Sequence, residues 1–137
     1  MKKVFLLFAF IPFLLLADCS AQEQSKSQTR SESAAPKKIT PAQAKAMMDN
    51  GSPYILVDVR TEAEYRDKRI DGAILIPDYE IAASAADKLP DKNAVIIVYC
   101  RSGARSSRAC QVLAGMGYTN IYDLGGIMSW PYATVSN

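Results

Sequence analysis

An unbroken apolar run, Ala94-Val95-Ile96-Ile97-Val98-Tyr99, leads directly into Cys100-Arg101-Ser102-Gly103-Ala104-Arg105-Ser106, and a helical stretch from Ser106 to Met116 follows. A run with no polar alternation has no face to offer water, so it reads as a strand buried on both sides. A buried strand feeding a helix through a short loop belongs to a parallel α/β unit. The C-terminal end of such a strand is where open α/β sheets place their ligands. The amides of the loop, with the N-terminus of the helix, favour an anion there. A thiolate is an anion, so Cys100 reads as a nucleophile whose charge the backbone supports.

The chain has 137 residues, enough for one domain. Its net charge is +2 and it contains no histidine. The first property argues against a nucleic-acid-binding protein, which is usually strongly basic. The second excludes Cys-His and Ser-His catalysis and any histidine metal site. No metal ion or cofactor is expected, and activation of a nucleophile falls to amides, a helix end or arginine.

The N-terminus is of another kind. Met1-Lys2-Lys3 is basic, Val4 to Ala17 is almost wholly apolar, and small residues follow. This is the pattern of a secretory signal peptide, over residues 1–21, and the apolar stretch is short for a membrane span. Two processing sites compete. Leu16-Ala17-Asp18-Cys19 resembles a bacterial lipobox, which would end the signal at residue 18 and attach a lipid anchor to Cys19, although Asp18 stands where a small residue is normal. Cys19-Ser20-Ala21 offers the small residues of ordinary cleavage. Either route exports the protein, to the periplasm or to a membrane as a lipoprotein. Residues 22–36, rich in Gln, Ser, Lys and Glu, form a flexible tether reaching on the order of 20 Å.

Residues 37–137 form the folded domain. Lys38-Ile39 reads as an edge strand, and Thr40-Pro41 as N-cap and first residue of a helix that Gly51 ends. Tyr54 to Val59 is a buried strand. Thr61 and Glu64 stand in capping-box spacing at the head of a second helix running to about Lys68. Gly72 to Pro77 reads as a third short strand and Tyr79 to Leu89 as an alanine-rich helix. After the loop helix come a strand over Asn120 to Leu124, a Gly125-Gly126 turn and a short final helix from Ile127 to Tyr132. Strands that alternate with helices and are continuously apolar predict an α/β fold with a mainly parallel sheet and helices on both faces.

Val57-Asp58-Val59-Arg60, Glu64-Tyr65, Ile70-Asp71-Gly72-Ala73, the Cys100 to Ser106 loop, Leu124-Gly125-Gly126 and Trp130 together resemble a single-domain rhodanese of the thiosulfate sulfurtransferase family, over about Ile39 to Trp130. The resemblance implies a small rhodanese-like domain with a parallel sheet of about five strands. It also implies transfer of a sulfane sulfur through a persulfide on Cys100 to a thiophilic acceptor such as cyanide, a thiol or a protein. Arg101 and Arg105 beside the sulfur suit a dianionic donor such as thiosulfate and the departing sulfite. Family members that use mercaptopyruvate tend to lack these arginines. On this reading Cys100 is catalytic, and Arg101, Ser102, Gly103, Ala104, Arg105 and Ser106 bind the donor. Asp58 and Arg60 end a strand on the same sheet edge; the resemblance gives them a bracing role, and a plain ion pair is the alternative.

Two rival readings share the chemistry. Cysteine phosphatases and arsenate reductases also set a cysteine at a strand end and an arginine at a helix start. Here Arg101, Ser102, Gly103 and Ala104 separate Cys100 from Arg105, one residue fewer than in those loops. A persulfide carrier that does not turn over, or a binding module that keeps the fold, is the other. Arg108 reads as a residue of a solvated helix face. Ile70 occupies a place where the family often has histidine, and Trp130 reads as core or lid. Cys110 lies roughly 10 Å along the helix from the loop, too far to bridge Cys100, and reads as a buried, inert thiol.

Overall fold

A computed structural model describes residues 35–137. The signal peptide, the lipobox cysteine and most of the tether fall outside the described residues. Within them the elements run β1 (Lys37–Lys38), α1 (Pro41–Asp49), β2 (Ile55–Asp58), α2 (Glu62–Asp67), β3 (Ile74–Leu75), α3 (Ile81–Lys88), β4 (Val95–Cys100), α4 (Ala104–Gly115) and β5 (Asn120–Gly126), closed by a 3₁₀ turn over Ile127–Ser129.

The five strands make one sheet in the order β1-β5-β4-β2-β3, with every pair parallel. The most apolar strand, β4, takes the centre, and the two-residue strands take the edges. Alternate side chains of one strand face opposite layers. Ile96, Val98 and Cys100 pack with Ile81, Ala85 and Leu89 of α3 and with Ala109, Cys110 and Leu113 of α4. Ile97 and Tyr99 face the other way, toward Ala44 of α1, Ile70 and Ile127, with Tyr65 of α2 and Trp130 packed alongside. The helices therefore cover both faces, as the alternation predicts.

Both capping signals form. Thr40 Oγ1 accepts from the Gln43 amide while Gln43 Oε1 accepts from the Thr40 amide, and Thr61 and Glu64 do the same at the head of α2. Each box satisfies two donors that the helix ladder leaves orphaned.

Several boundaries differ from the sequence expectation: the edge strand is Lys37–Lys38 rather than Lys38-Ile39, α3 is Ile81–Lys88 rather than Tyr79 to Leu89, and the final helix is a 3₁₀ turn that stops at Ser129 rather than Tyr132. Three further differences have a clear local cause. The third strand shrinks to Ile74–Leu75 because Gly72, at φ +77°, turns the chain just before it and Pro77 stops it. Helix α4 begins at Ala104, two residues before the expected Ser106, because Gly103 adopts a left-handed φ of +109° and its carbonyl accepts from the Ser107 amide. Gly125-Gly126 is not a turn after β5 but its last two residues. Val98 pairs with Asp123 and Tyr99 with Gly125, so Leu124 is an extra residue in a β-bulge beside the end of β4.

Candidate active site

Cys100 is the last residue of β4, only 1 % exposed, with the loop folding over it. Because α4 starts at Ala104, Arg105 and Ser106 lie in its first turn, where amides have no partner within the helix. The Gly103 amide donates to Cys100 Sγ at 3.0 Å. Burial pushes the thiol up, but the amides of Ser106, Gly103 and Ser102, with the Ser106 hydroxyl, outweigh it and bring the group below the usual thiol range. The hydroxyl has only one proton, and Asp123 Oδ1 at 2.7 Å is its best acceptor, so the amides supply the stabilisation.

That last contact corrects the expectation for Ser106. Its side chain is fully buried and points to Asp123 on β5, whose Oδ1 also accepts from the Gly125 amide at 2.9 Å. What Ser106 brings to the sulfur is its backbone N–H. Arg105 also differs from expectation. Rather than standing open to a donor, its Nη1 and Nη2 reach the two carboxylate oxygens of Glu64 on α2, each at 2.8 Å. Hydrogen bonding to Arg105 is the main reason that the Glu64 carboxyl is lowered to about 2. Arg101 is exposed and makes no ion pair among the described residues. Ser102 and Ala104 are exposed beside it and Gly103 is half-buried.

Asp58 and Arg60 form an ion pair with exposures of 0 % and 6 % for the two side chains, so it is not the plain surface pair offered as the alternative. Arg60 Nε and Nη2 both reach the carboxylate, Nη2 also donates to the Lys68 carbonyl, and the guanidinium lies 5.6 Å from the centre of the Tyr99 ring. The pair thus ties β2 to the end of α2 and to the residue before Cys100. Arg60, Glu64, Lys68, Arg101, Ile127 and Met128 line an open cavity of about 300 Å³ next to the loop.

Sequence reasoning missed Gly126. A Cβ built there would stand 2.5 Å from the Arg101 carbonyl oxygen and 2.7 Å from the Ser102 Cα. The loop rests directly on this glycine, and the Met128 amide donates to the same Arg101 carbonyl at 3.3 Å. The Gly-Gly pair was the only signal, and a turn explains such a pair equally well.

The remaining residues sit as the bland readings have them. Cys110 is 1 % exposed, and burial pushes its thiol well above the usual range. Cys100 and Cys110 are both free. Arg108 is exposed and meets Asp78 at 3.3 Å. Ile70 is buried and its amide donates to the Tyr99 hydroxyl at 3.1 Å. Trp130 packs on the α1 face and meets the Tyr132 ring edge-on at 4.9 Å. Among the described residues no cluster suited to a metal ion occurs, and no helix is long and apolar enough to cross a membrane.

Against this geometry, the model of the rhodanese-like domain family matches residues 40–132. The thiosulfate sulfurtransferase PspE of Escherichia coli is 39 % identical over 71 residues, covering 52 % of this chain and 68 % of that protein. The thiosulfate sulfurtransferase GlpE of Pseudomonas savastanoi is 32 % identical over 95 residues, covering 69 % of this chain and 86 % of that one. Among solved structures, a rhodanese with anions from E. coli superposes with a TM-score of 0.59 at 34 % identity, over 62 % of this chain and all of the other. A rhodanese-like domain protein from Staphylococcus aureus gives 0.63 at 29 % identity, over 74 % and 98 %.

Proposed function

This chain belongs to the rhodanese-like domain family and is a sulfurtransferase, and from that premise we propose that it takes the outer sulfur of thiosulfate, or of a similar anionic sulfane donor, onto Cys100. The Cys100 thiolate attacks the sulfane sulfur. A new S–S bond forms to Cys100, the bond to the sulfonate sulfur breaks, and sulfite leaves with that electron pair. An acceptor, cyanide or a thiolate, then attacks the outer sulfur of the persulfide, and Cys100 leaves as thiolate. The charge balances in each step with no proton moved, which suits a site without histidine.

The observation that carries this reading is the Gly103 amide donating to Cys100 Sγ at 3.0 Å, with the Ser102 and Ser106 amides lowering the thiol in the same direction. Donors of this kind would also support the terminal sulfur anion of a persulfide, and so serve the intermediate as well as the attacking group. Arg101 supplies an open cation for the dianionic donor. The phosphatase reading is the weaker one because Arg105, the arginine that would clamp a phosphate, is already held in both arms by Glu64.

The sequence of residues 1–21 supports export, to the periplasm or to a membrane through a lipid on Cys19. The test of the activity is thiocyanate formation from thiosulfate and cyanide by the wild type and by Cys100→Ser, with mercaptopyruvate as the competing donor. Many turnovers with thiosulfate, few with mercaptopyruvate and none in the variant are expected. A single loading event per chain would instead make it a carrier, and phosphate release from an aryl phosphate that depends on Cys100 would overturn the assignment.

A further inference from the structure

Arg105 and Glu64 are 41 residues apart in sequence and sit on helices in different layers of the fold, one on each face of the sheet. Their contact is a two-pronged fork, each Nη on its own oxygen at 2.8 Å, with side chains 25 % and 27 % exposed. Glu64 is also fixed from its own side. Its Oε2 accepts from the Thr61 amide at 2.9 Å and from the Thr61 hydroxyl at 3.0 Å. A carboxylate held by a capping box has little freedom to follow a moving partner, so Glu64 dictates where the guanidinium stands.

The charges around the sulfur show what this does. Asp58 is cancelled by Arg60 at the end of β2. Asp78, after β3, meets Arg108 of α4. Asp123 of β5 is held by the neutral Ser106 hydroxyl and Gly125 amide. Arg105 is cancelled by Glu64, which leaves Arg101 as the loop's unpaired cation.

Building on the reading of Cys100 as the sulfur-carrying thiolate, we infer that Glu64 is a positioning residue of the active loop, which anchors the Arg105 guanidinium and cancels its charge so that, of the loop's two arginines, only Arg101 is presented to the anionic donor, with Lys68 on the same cavity wall. With both arginines uncompensated, the thiolate would be more stable and therefore a weaker nucleophile, because nucleophilicity falls as thiol pKa falls. A dianionic product would also be held longer. Glu64 limits the positive potential of the loop to what capture requires.

Glu64→Gln tests this on the full chain, since glutamine preserves the capping box. Thiolate absorbance is followed against pH, with Cys100→Ser subtracting the signal of the chain's other cysteines. Removing one charge across partly solvated space lowers the Cys100 titration by about half a pH unit. The thiosulfate KM falls by about threefold to tenfold, since the donor carries two charges to the thiolate's one, and kcat falls with it. Arg105→Gln, which leaves Glu64 uncancelled, moves the titration the opposite way, and Glu64→Asp, which keeps the charge, leaves it at the wild-type position. A Glu64→Gln titration and KM that superimpose on the wild type, or an Arg105→Gln shift of the same sign, would overturn the inference and reduce Glu64 to a helix cap. A wild type that forms no thiocyanate would instead sink the sulfur-transfer reading, so the two failures are separable.

Discussion

The hydroxyl of Ser106 lies 2.7 Å from Asp123 Oδ1, and through that contact the first turn of α4 is pinned to the bulge in β5. Both residues are buried, so the carboxylate cannot trade this donor for water. Ser106→Ala leaves a buried charged acceptor short of its closest partner and is expected to cost about 2 kcal/mol in urea unfolding. Sulfur transfer should survive within about tenfold, because alanine keeps the amide that faces Cys100. Loss of all activity with unchanged stability would mean that the hydroxyl, not the amide, supports the sulfur.

Gly126 answers to a different constraint. The nearest atoms to an added Cβ are backbone, the Arg101 carbonyl oxygen at 2.5 Å and the Ser102 Cα at 2.7 Å, and backbone cannot rotate aside. Gly126→Ala must push the active loop outward and turn its amides off the sulfur. A stability loss of about 1–3 kcal/mol is expected from the overpacking. Because the amides need close alignment, thiocyanate formation should fall by at least about tenfold. A fully active Gly126→Ala protein would show that the loop does not rest on this strand.

Cys110 gives the contrasting case. It is as little exposed as Cys100, at 1 %, but burial acts on its thiol with no amide to offset it and holds it in the neutral form. Cys110→Ala is expected to keep wild-type transfer and to lose about 1 kcal/mol of stability from the emptied volume. In the native protein iodoacetamide should label Cys100 and spare Cys110, since the thiolate is the reactive species. Labelling of Cys110 at a comparable rate would contradict its burial.

What could be read in the sequence was what acts over short spans. Thr40 with Gln43, and Thr61 with Glu64, sit three residues apart, and both boxes form. The apolar run before Cys100 was enough to place a central strand, and the alternation of elements was enough for a parallel sheet with helices on both faces. The missing parts are contacts that the strand order creates. Placing β5 next to β4 brings Gly126 under Arg101 and Asp123 against Ser106. Placing β2 on the other side of β4 brings α2, and with it Glu64, to Arg105. No spacing rule joins residues 41 apart, so the arginine beside the cysteine looked free when it was already paired. The start of α4 was missed for a smaller reason. Ala104-Arg105 looks equally at home in a loop or a helix, and only the left-handed Gly103 decides between them.

The claim on which the rest depends is that Cys100, stabilised by backbone amides, receives the sulfur. Intact-protein mass spectrometry after brief exposure to thiosulfate, with the excess removed, measures this directly. The account predicts a gain of one sulfur atom in the wild type and in Cys110→Ala, absent in Cys100→Ser and lost again on adding cyanide. A gain that persists in Cys100→Ser, or none in a wild type that forms thiocyanate, would contradict it.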